Sequence, residues 1–307
     1  MDKDGVAQKG IGEKFVHFYD KYHYKLLAIP LLVVIISFAV LGINYATTGS
    51  PIKKDVSLSG GVTLTITKQT NVTAAELQGF LESRVDYDTN VRVLSQSGNE
   101  IGLIVDAGVS DQQKIKTLLS IVEEKTGKLD ANDYSAQVIG TALGQSFFTE
   151  ALFAIAFAFL LMGAAVLIYF RNLVPSMFVI LCGFNDLLCT VGALVLLDFR
   201  FSTASIAALL MVVGYSIDTD ILLTTRVLKG KEGTVFSRTV GAMKTGVTMS
   251  LTAFAAVFAG YLFSQSQTIK EIMLVISIAM IFDILHTWIT NAAILRWYLE
   301  RKKHGQA

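Results

Sequence analysis

Long apolar runs alternate with short polar connections through most of this chain, and one stretch of about a hundred residues breaks the pattern. Residues 26–43 carry no charge over a length that, with its flanks, crosses a ~30 Å hydrocarbon core. Pro30 falls in the first turn of that run, where a missing N–H costs little. Further runs of spanning length occupy residues 147–168, 173–197, 203–227, 242–263 and 272–295, so the pattern predicts six transmembrane helices. Between the first two, alternation at period two over residues 62–68 predicts a strand. Thr73-Ala74-Ala75-Glu76 is a capping box opening a helix over 73–84. Residues 90–95 and 100–106 flank a Ser-Gly-Asn turn and predict a hairpin. An amphipathic helix over 110–126 stops at Gly127, and 134–139 reads as a last strand.

The order βαββαβ predicts a ferredoxin-like sheet with two helices on one face. The fold class is therefore an α-helical polytopic membrane protein of six transmembrane helices, with an α+β ferredoxin-like (βαββαβ) extracytoplasmic domain between helices one and two. The expected division is a cytoplasmic N-terminal segment over 1–25, transmembrane helix one over 26–45, and the extracytoplasmic domain over 46–146. Transmembrane helices two to six follow over 147–297, with a cytoplasmic tail over 298–307.

Composition agrees with this division. Of 307 residues 52% are hydrophobic and only 17% charged, too apolar for a soluble globule of this size. The net charge of +1 is spread over short clusters beside the apolar runs, so no nucleic-acid partner is expected. Lys3, Lys9, Lys14, Lys21 and Lys25 precede the first run, and Lys229, Lys231, Arg238 and then Arg301, Lys302 and Lys303 recur on alternate connections. This bias places both termini in the cytoplasm and the large domain outside. No small-residue cleavage site follows the first run, which predicts a retained helix and not a signal peptide. Cys182 and Cys189 stand about 10 Å apart along one helix, too far for a disulfide between them, and read as packing residues. No phosphate-binding glycine loop occurs, and no cofactor, metal or enzymatic activity is expected.

Polar residues inside the spans are the candidate chemistry. Asp186 lies in the third run, Asp218 and Asp220 in the fourth, and Asp283 and His286 in the sixth. Each aspartate at a helix centre costs ~2.5–3.5 kcal/mol of insertion free energy, so such residues mark a use. Asp218 and Asp220 are about 200° apart around a helix, so only one points squarely into a bundle; Asp283 and His286, at i and i+3, share a face. One reading makes them fasteners, pairing Asp283 with His286 or Asp220 with a threonine of the fifth helix. His286 taken alone reads as packed or solvated near a helix end. The other reading is a proton or cation relay whose carboxylates load and release protons as access alternates. Thr245, Thr248, Ser250 and Thr252, with Gly241, Gly246 and Gly260, give the fifth helix a close-packing surface. Arg226 and Arg238 bracket its cytoplasmic approach.

These residues also carry a resemblance. Gly214-Tyr215-Ser216-Ile217-Asp218-Thr219-Asp220, running on to Arg226, is similar to the fourth-helix signature of the SecF family in its archaeal form. Asp55-Val56-Ser57-Leu58-Ser59-Gly60-Gly61 resembles the motif that follows helix one in SecD and SecF, and Phe184-Asn185-Asp186 sits where bacterial relatives carry His-Asp. Ser237-Arg238-Thr239 and Lys244-Thr245-Gly246 fit the entry to helix five. The resemblance implies a subunit of the SecD/SecF protein-export complex, in the resistance-nodulation-division superfamily. Its implied partners are SecD, the Sec protein-conducting channel, an exported unfolded polypeptide and the lipid bilayer, and its implied location is the cytoplasmic membrane. It implies coupling to the proton gradient through Asp218 first, then Asp220, with Asp186; Asp283, His286, Arg226, Arg238 and Tyr215 take supporting places. The family carboxylate aligns with Asp218 in SecD-like sequences and with Thr219 in bacterial SecF-like ones.

Two alternatives stay open at this point. A half-unit of a proton-driven small-molecule exporter of the same superfamily shares the six-helix unit, although such exporters carry two units in one chain. An intramembrane aspartyl protease would also use two membrane aspartates, but its Tyr-Asp, Gly-x-Gly-Asp and Pro-Ala-Leu sequences do not occur around Asp186 and Asp218.

Overall fold

The computed structural model describes residues 19–22, 24–68, 70–96, 99–230 and 233–304. Lys3, Lys9 and Lys14, Ser97 and Gly98 of the expected turn, Lys231 and the last three residues lie outside the described residues.

The first span is α1 (Ala28–Thr48), with Pro30 in its first turn. A two-residue strand β1 (Lys53–Lys54) and a single helical turn α2 (Val56–Ser59) lead into β2 (Gly61–Ile66). The domain continues with α3 (Ala74–Glu82), β3 (Thr89–Gln96), β4 (Asn99–Ala107), α4 (Gln112–Thr126) and β5 (Tyr134–Ile139). The sheet runs in the order β3-β4-β2-β5, every pair antiparallel, which is the arrangement the βαββαβ order predicts.

Local chemistry sets these elements. Thr73 accepts from the Glu76 N–H at 3.3 Å and the Glu76 carboxylate accepts from the Thr73 N–H at 3.1 Å, so the capping box is formed at both ends. Asp111 caps α4, which ends at Gly127 with φ +83°. Val62, Leu64 and Ile66 of β2 and Leu103 and Val105 of β4 point to one face, where they bury against Leu77, Leu81, Leu118 and Val122. This core belongs to the domain alone.

Five further spans follow: α5 (Thr141–Phe170), α6 (Leu173–Leu196), α7 (Thr203–Lys229), α8 (Val235–Phe263) and α9 (Gln267–Leu285). The last continues through a wider π turn, His286–Asn291, into α10 (Ala292–His304). Among the described residues six helices are long and apolar enough to cross a membrane, so the chain is a multi-pass membrane protein. Leu31, Phe153, Ile168 and Phe263 are among the large apolar side chains left exposed on the bundle, as a lipid-facing surface requires.

The helix α5 begins directly after β5, ahead of the apolar run that starts at Phe147. The Asp55 to Gly61 motif forms the joint here. Asp55 accepts from the Val56 N–H at 2.7 Å to cap α2, and its own N–H donates to the Phe201 carbonyl at 2.8 Å. Gly60 has φ +80°, and a Cβ there would run into the Thr141 backbone at the head of α5. Only glycine fits both conditions. The strand β6 (Arg200–Phe201), in the connection between the third and fourth spans, pairs with β1 in parallel.

Candidate functional site

Two apolar clusters fill the bundle at different heights. One is built on Leu194, Ile206, Leu209, Val212, Ala279 and Met280; the other on Leu223, Val227, Ala242, Trp288, Ala292 and Leu295. Ser216, Thr219 and Asp220 of α7, Asp283 of α9 and His286 and Thr287 of the π turn lie between them in sequence, Asn291 follows three residues after Trp288, and all are buried. Asp186 of α6 joins them and has no exposed surface. The result is a polar layer across the third, fourth and sixth spans.

Its hydrogen bonds fall into three groups. Asp186 Oδ1 lies 2.6 Å from His286 Nδ1, and Asp186 Oδ2 accepts from the Ser216 hydroxyl at 2.5 Å. Behind the imidazole, His286 Nε2 lies 4.0 Å from Cys189 Sγ. Asp283 accepts from the Thr219 hydroxyl at 2.9 Å and 3.2 Å and from Thr287 at 3.4 Å. Asp220 Oδ1 accepts from Asn291 Nδ2 at 2.7 Å, whereas Asp220 Oδ2 is buried without a hydrogen-bond partner.

Three buried carboxylates thus share the layer with one imidazole. Asp186, Ser216 and His286 form one hydrogen-bonded chain across the third, fourth and sixth spans. Among the described residues no group of three His, Cys, Asp or Glu is arranged to hold a metal ion.

The π turn supports this geometry. A π turn carries an extra residue and widens the helix, a feature frequent at functional sites. Here it begins at His286 and ends at Asn291, the two residues that reach Asp186 and Asp220.

The sequence candidates separate accordingly. Asp186, Asp220, Asp283 and His286 are brought together. Asp218 is not: it is exposed on the opposite side of α7, in line with exposed Met211 and Gly214, because two residues on a helix turn through about 200°. The expected Asp283 to His286 pair is not made, since each bonds across to another helix, Asp283 to Thr219 and His286 to Asp186. Asp220 pairs with Asn291 of the sixth span and not with a threonine of the fifth. His286 stands far from a helix end because the sixth span runs unbroken from Gln267 to Arg301.

The remaining candidates lie elsewhere. Tyr215 is half-buried against the first apolar cluster. Arg226 donates to the Gly241 carbonyl at 3.1 Å and to Thr245 Oγ1 at 3.0 Å, and Arg238 donates to the Gly230 carbonyl. Both arginines therefore tie the connection between the fourth and fifth spans. Asp55, Gly60 and Gly61 form the joint described above. Sequence reasoning did not single out Thr287 and Asn291 as site residues, yet Asp283, Thr287 and Asn291 recur at i, i+4 and i+8, the spacing of one helix face.

Comparison with known proteins is consistent with this architecture. The family described as "Protein export membrane protein SecD/SecF, C-terminal" matches residues 119–301. The protein-export membrane protein SecF of Methanothermobacter thermautotrophicus is 38% identical over 285 residues, which cover 91% of this chain and 94% of that one. Its counterpart in Methanocaldococcus jannaschii is 36% identical, over 90% of this chain and 96% of the other. The crystal structure of SecDF, a translocon-associated membrane protein from Thermus thermophilus, superposes with a TM-score of 0.72 at 18% identity, over 91% of this chain. This chain spans only 38% of that protein's length, and the likeness speaks to the fold.

Proposed function

The chain belongs to the SecD/SecF family of protein-export membrane proteins, and from that premise we propose that it assists polypeptide export beside a SecD partner, using the buried polar layer as a proton relay. One observation carries the relay: Asp220 Oδ2 is buried, unpartnered, and stands in a layer with Asp186, Asp283 and His286. An orphaned carboxylate oxygen in an apolar bundle is costly unless it takes up a proton or meets one during a cycle.

The relay residues are Asp220, Asp186, His286 and Asp283. Protonation of Asp220 gives its free oxygen a hydrogen to donate; deprotonation returns a buried charge that the layer must rearrange to hold. One charge crossing 100 mV releases ~2.3 kcal/mol, comparable with the gap between two conformers of one helix bundle. Asp218 takes a different part. It lies on the open side of α7, the side we assign to SecD, where a partner span would cover a carboxylate otherwise facing lipid.

The distribution of lysine and arginine supports a cytoplasmic position for both termini and an outer position for the α+β domain. The Sec channel and an unfolded exported chain are the partners on that outer side. Export in vesicles containing SecD, with the proton gradient varied, tests the relay: Asp220→Asn is expected to assemble normally and lose the gradient-dependent fraction of export. Retention of that fraction would refute the relay through Asp220.

A further inference from the structure

Beside the joint at α2 and the β1-β6 pair, discrete charges bridge the outer domain and the bundle around a polar cleft. That cleft has a volume of about 650 Å³ and is lined by Asp55, Asp88, Arg92, Asp198, Arg200 and Glu271 among others. The domain's apolar core is closed on the far face of the sheet, under α3 and α4. On the near face Arg92 and Asp106 stand diagonally across the β3-β4 ladder, and the Arg92 Nη2 to Asp106 Oδ2 distance is 2.6 Å. The same guanidinium reaches out of the domain. Its Nη1 donates to Glu271 Oε1 at 3.0 Å, on the first turns of α9.

Both carboxylates are held on their other side. Asp106 Oδ1 accepts from the Thr63 hydroxyl at 2.7 Å, and Glu271 Oε2 accepts from the Ser202 hydroxyl at 2.9 Å. Ser202 is the cap of α7, so one arginine joins the sheet to the outer ends of the fourth and sixth spans together. Those two spans supply most of the polar layer. Glu271 and Asp283 lie on the same unbroken helix, about 18 Å apart along its axis, and the π turn begins three residues beyond Asp283. The helix above the π turn is thus a rigid lever with the polar layer at one end and Arg92 at the other.

The other charged contacts are of a different kind. Arg200 pairs with Asp88, with Nη2 to Oδ1 at 2.9 Å, and Lys53 pairs with Asp198; both pairs sit at the β1-β6 connection and involve exposed partners. Exposed pairs of this type contribute little. Asp106 and Glu271 are much less exposed than Asp88 and Asp198, and with Arg92 they form one hydrogen-bonded network.

We propose that Arg92 and Glu271 form a transmission strut that makes the outer domain follow the sixth span, so that displacement of α9 at the polar layer is delivered to the sheet. This rests on the relay reading. Arg92 and Glu271 are positioning residues. Apart from the strut, the domain is held at the joints with α1 and α5, by the β1-β6 pairing with its Asp55 N–H to Phe201 carbonyl bond, and by the exposed pairs.

The test uses the full chain with SecD in vesicles, spin-labelled at Lys116→Cys on the outer domain and Phe263→Cys at the end of α8. Both positions are exposed, and both native cysteines are buried. The distance between the labels is read with and without a proton gradient. The unaltered strut is expected to give a gradient-dependent change. Arg92→Gln and Glu271→Gln should each reduce its amplitude about fivefold, and the double variant should reduce it no further, since both remove one interaction. Glu271→Gln leaves the Arg92 to Asp106 bond and the domain core intact, so its effect is not one of misfolding. A change that survives both single variants overturns the strut while leaving the relay standing. No change in the unaltered protein overturns the strut together with the reading on which it rests.

Discussion

His286 Nδ1 and Asp186 Oδ1 lie 2.6 Å apart, with neither side chain exposed, and they join the sixth span to the third. Removing one partner of such a pair leaves the other buried and uncompensated. His286→Ala is expected to destabilise the assembled protein by about 3–5 kcal/mol, read as a lowered unfolding temperature in detergent. Asp186→Asn, which keeps a hydrogen bond to the imidazole, should cost much less.

Asn291 is the donor that reaches Asp220. Asn291→Ala removes it and is expected to cost about 1–3 kcal/mol, while Asp220→Asn in the same background should recover part of that loss, since the amide also donates and never ionises. Thermal unfolding of the two single variants and the double checks the cycle.

Gly246 lies against the ring of Trp288, and a Cβ there would overlap the indole carbons. Gly246→Leu is expected to force the fifth and sixth spans apart and to destabilise by about 1–3 kcal/mol; Gly241→Ala, where nothing lies within 4 Å of the added carbon, should be neutral. Unfolding temperatures of the two variants separate the outcomes.

Burial pushes the Asp55 carboxyl above its ordinary range, nearby Asp106 pushes the same way, and the Val56 N–H opposes them. A carboxyl whose folded pKa is raised binds its proton more tightly in the folded state. Its contribution to stability is therefore full at pH values below its unfolded pKa, about 3.9, and is lost as the pH rises through the folded value. Asp55→Asn keeps the acceptor for Val56 and does not titrate. Its stability relative to the unaltered chain is expected to be highest at neutral pH and to fall as the pH is lowered toward 4, measured as a difference in unfolding temperature.

The outer domain was legible because each of its elements carries its own local signal. Alternation marks β2, the Thr73 capping box marks α3, and Gly127 marks the end of α4. Apolar length sufficed for the spans. The β1-β6 pair and α2 were not legible, because elements of two and four residues have no periodicity and form only when distant segments meet. The site was half legible. Helix geometry requires Asp218 and Asp220 to face apart, but their neighbours decide which one turns inward, and those neighbours are Asn291 and Asp186 from other helices. His286 resembled a terminal residue because the apolar run ends at Leu295, whereas the helix continues on charged residues into α10. The π turn has no sequence mark at all.

Export in SecD-containing vesicles, with the unaltered chain and Asp220→Asn compared at matched assembly across a range of imposed proton gradients, tests the central claim most directly. The relay predicts that export by the unaltered chain rises with the gradient and that export by the variant stays at the level seen without one. An equal rise in both would contradict it and would leave Asp220, Asp186, Asp283 and His286 as polar fasteners between spans.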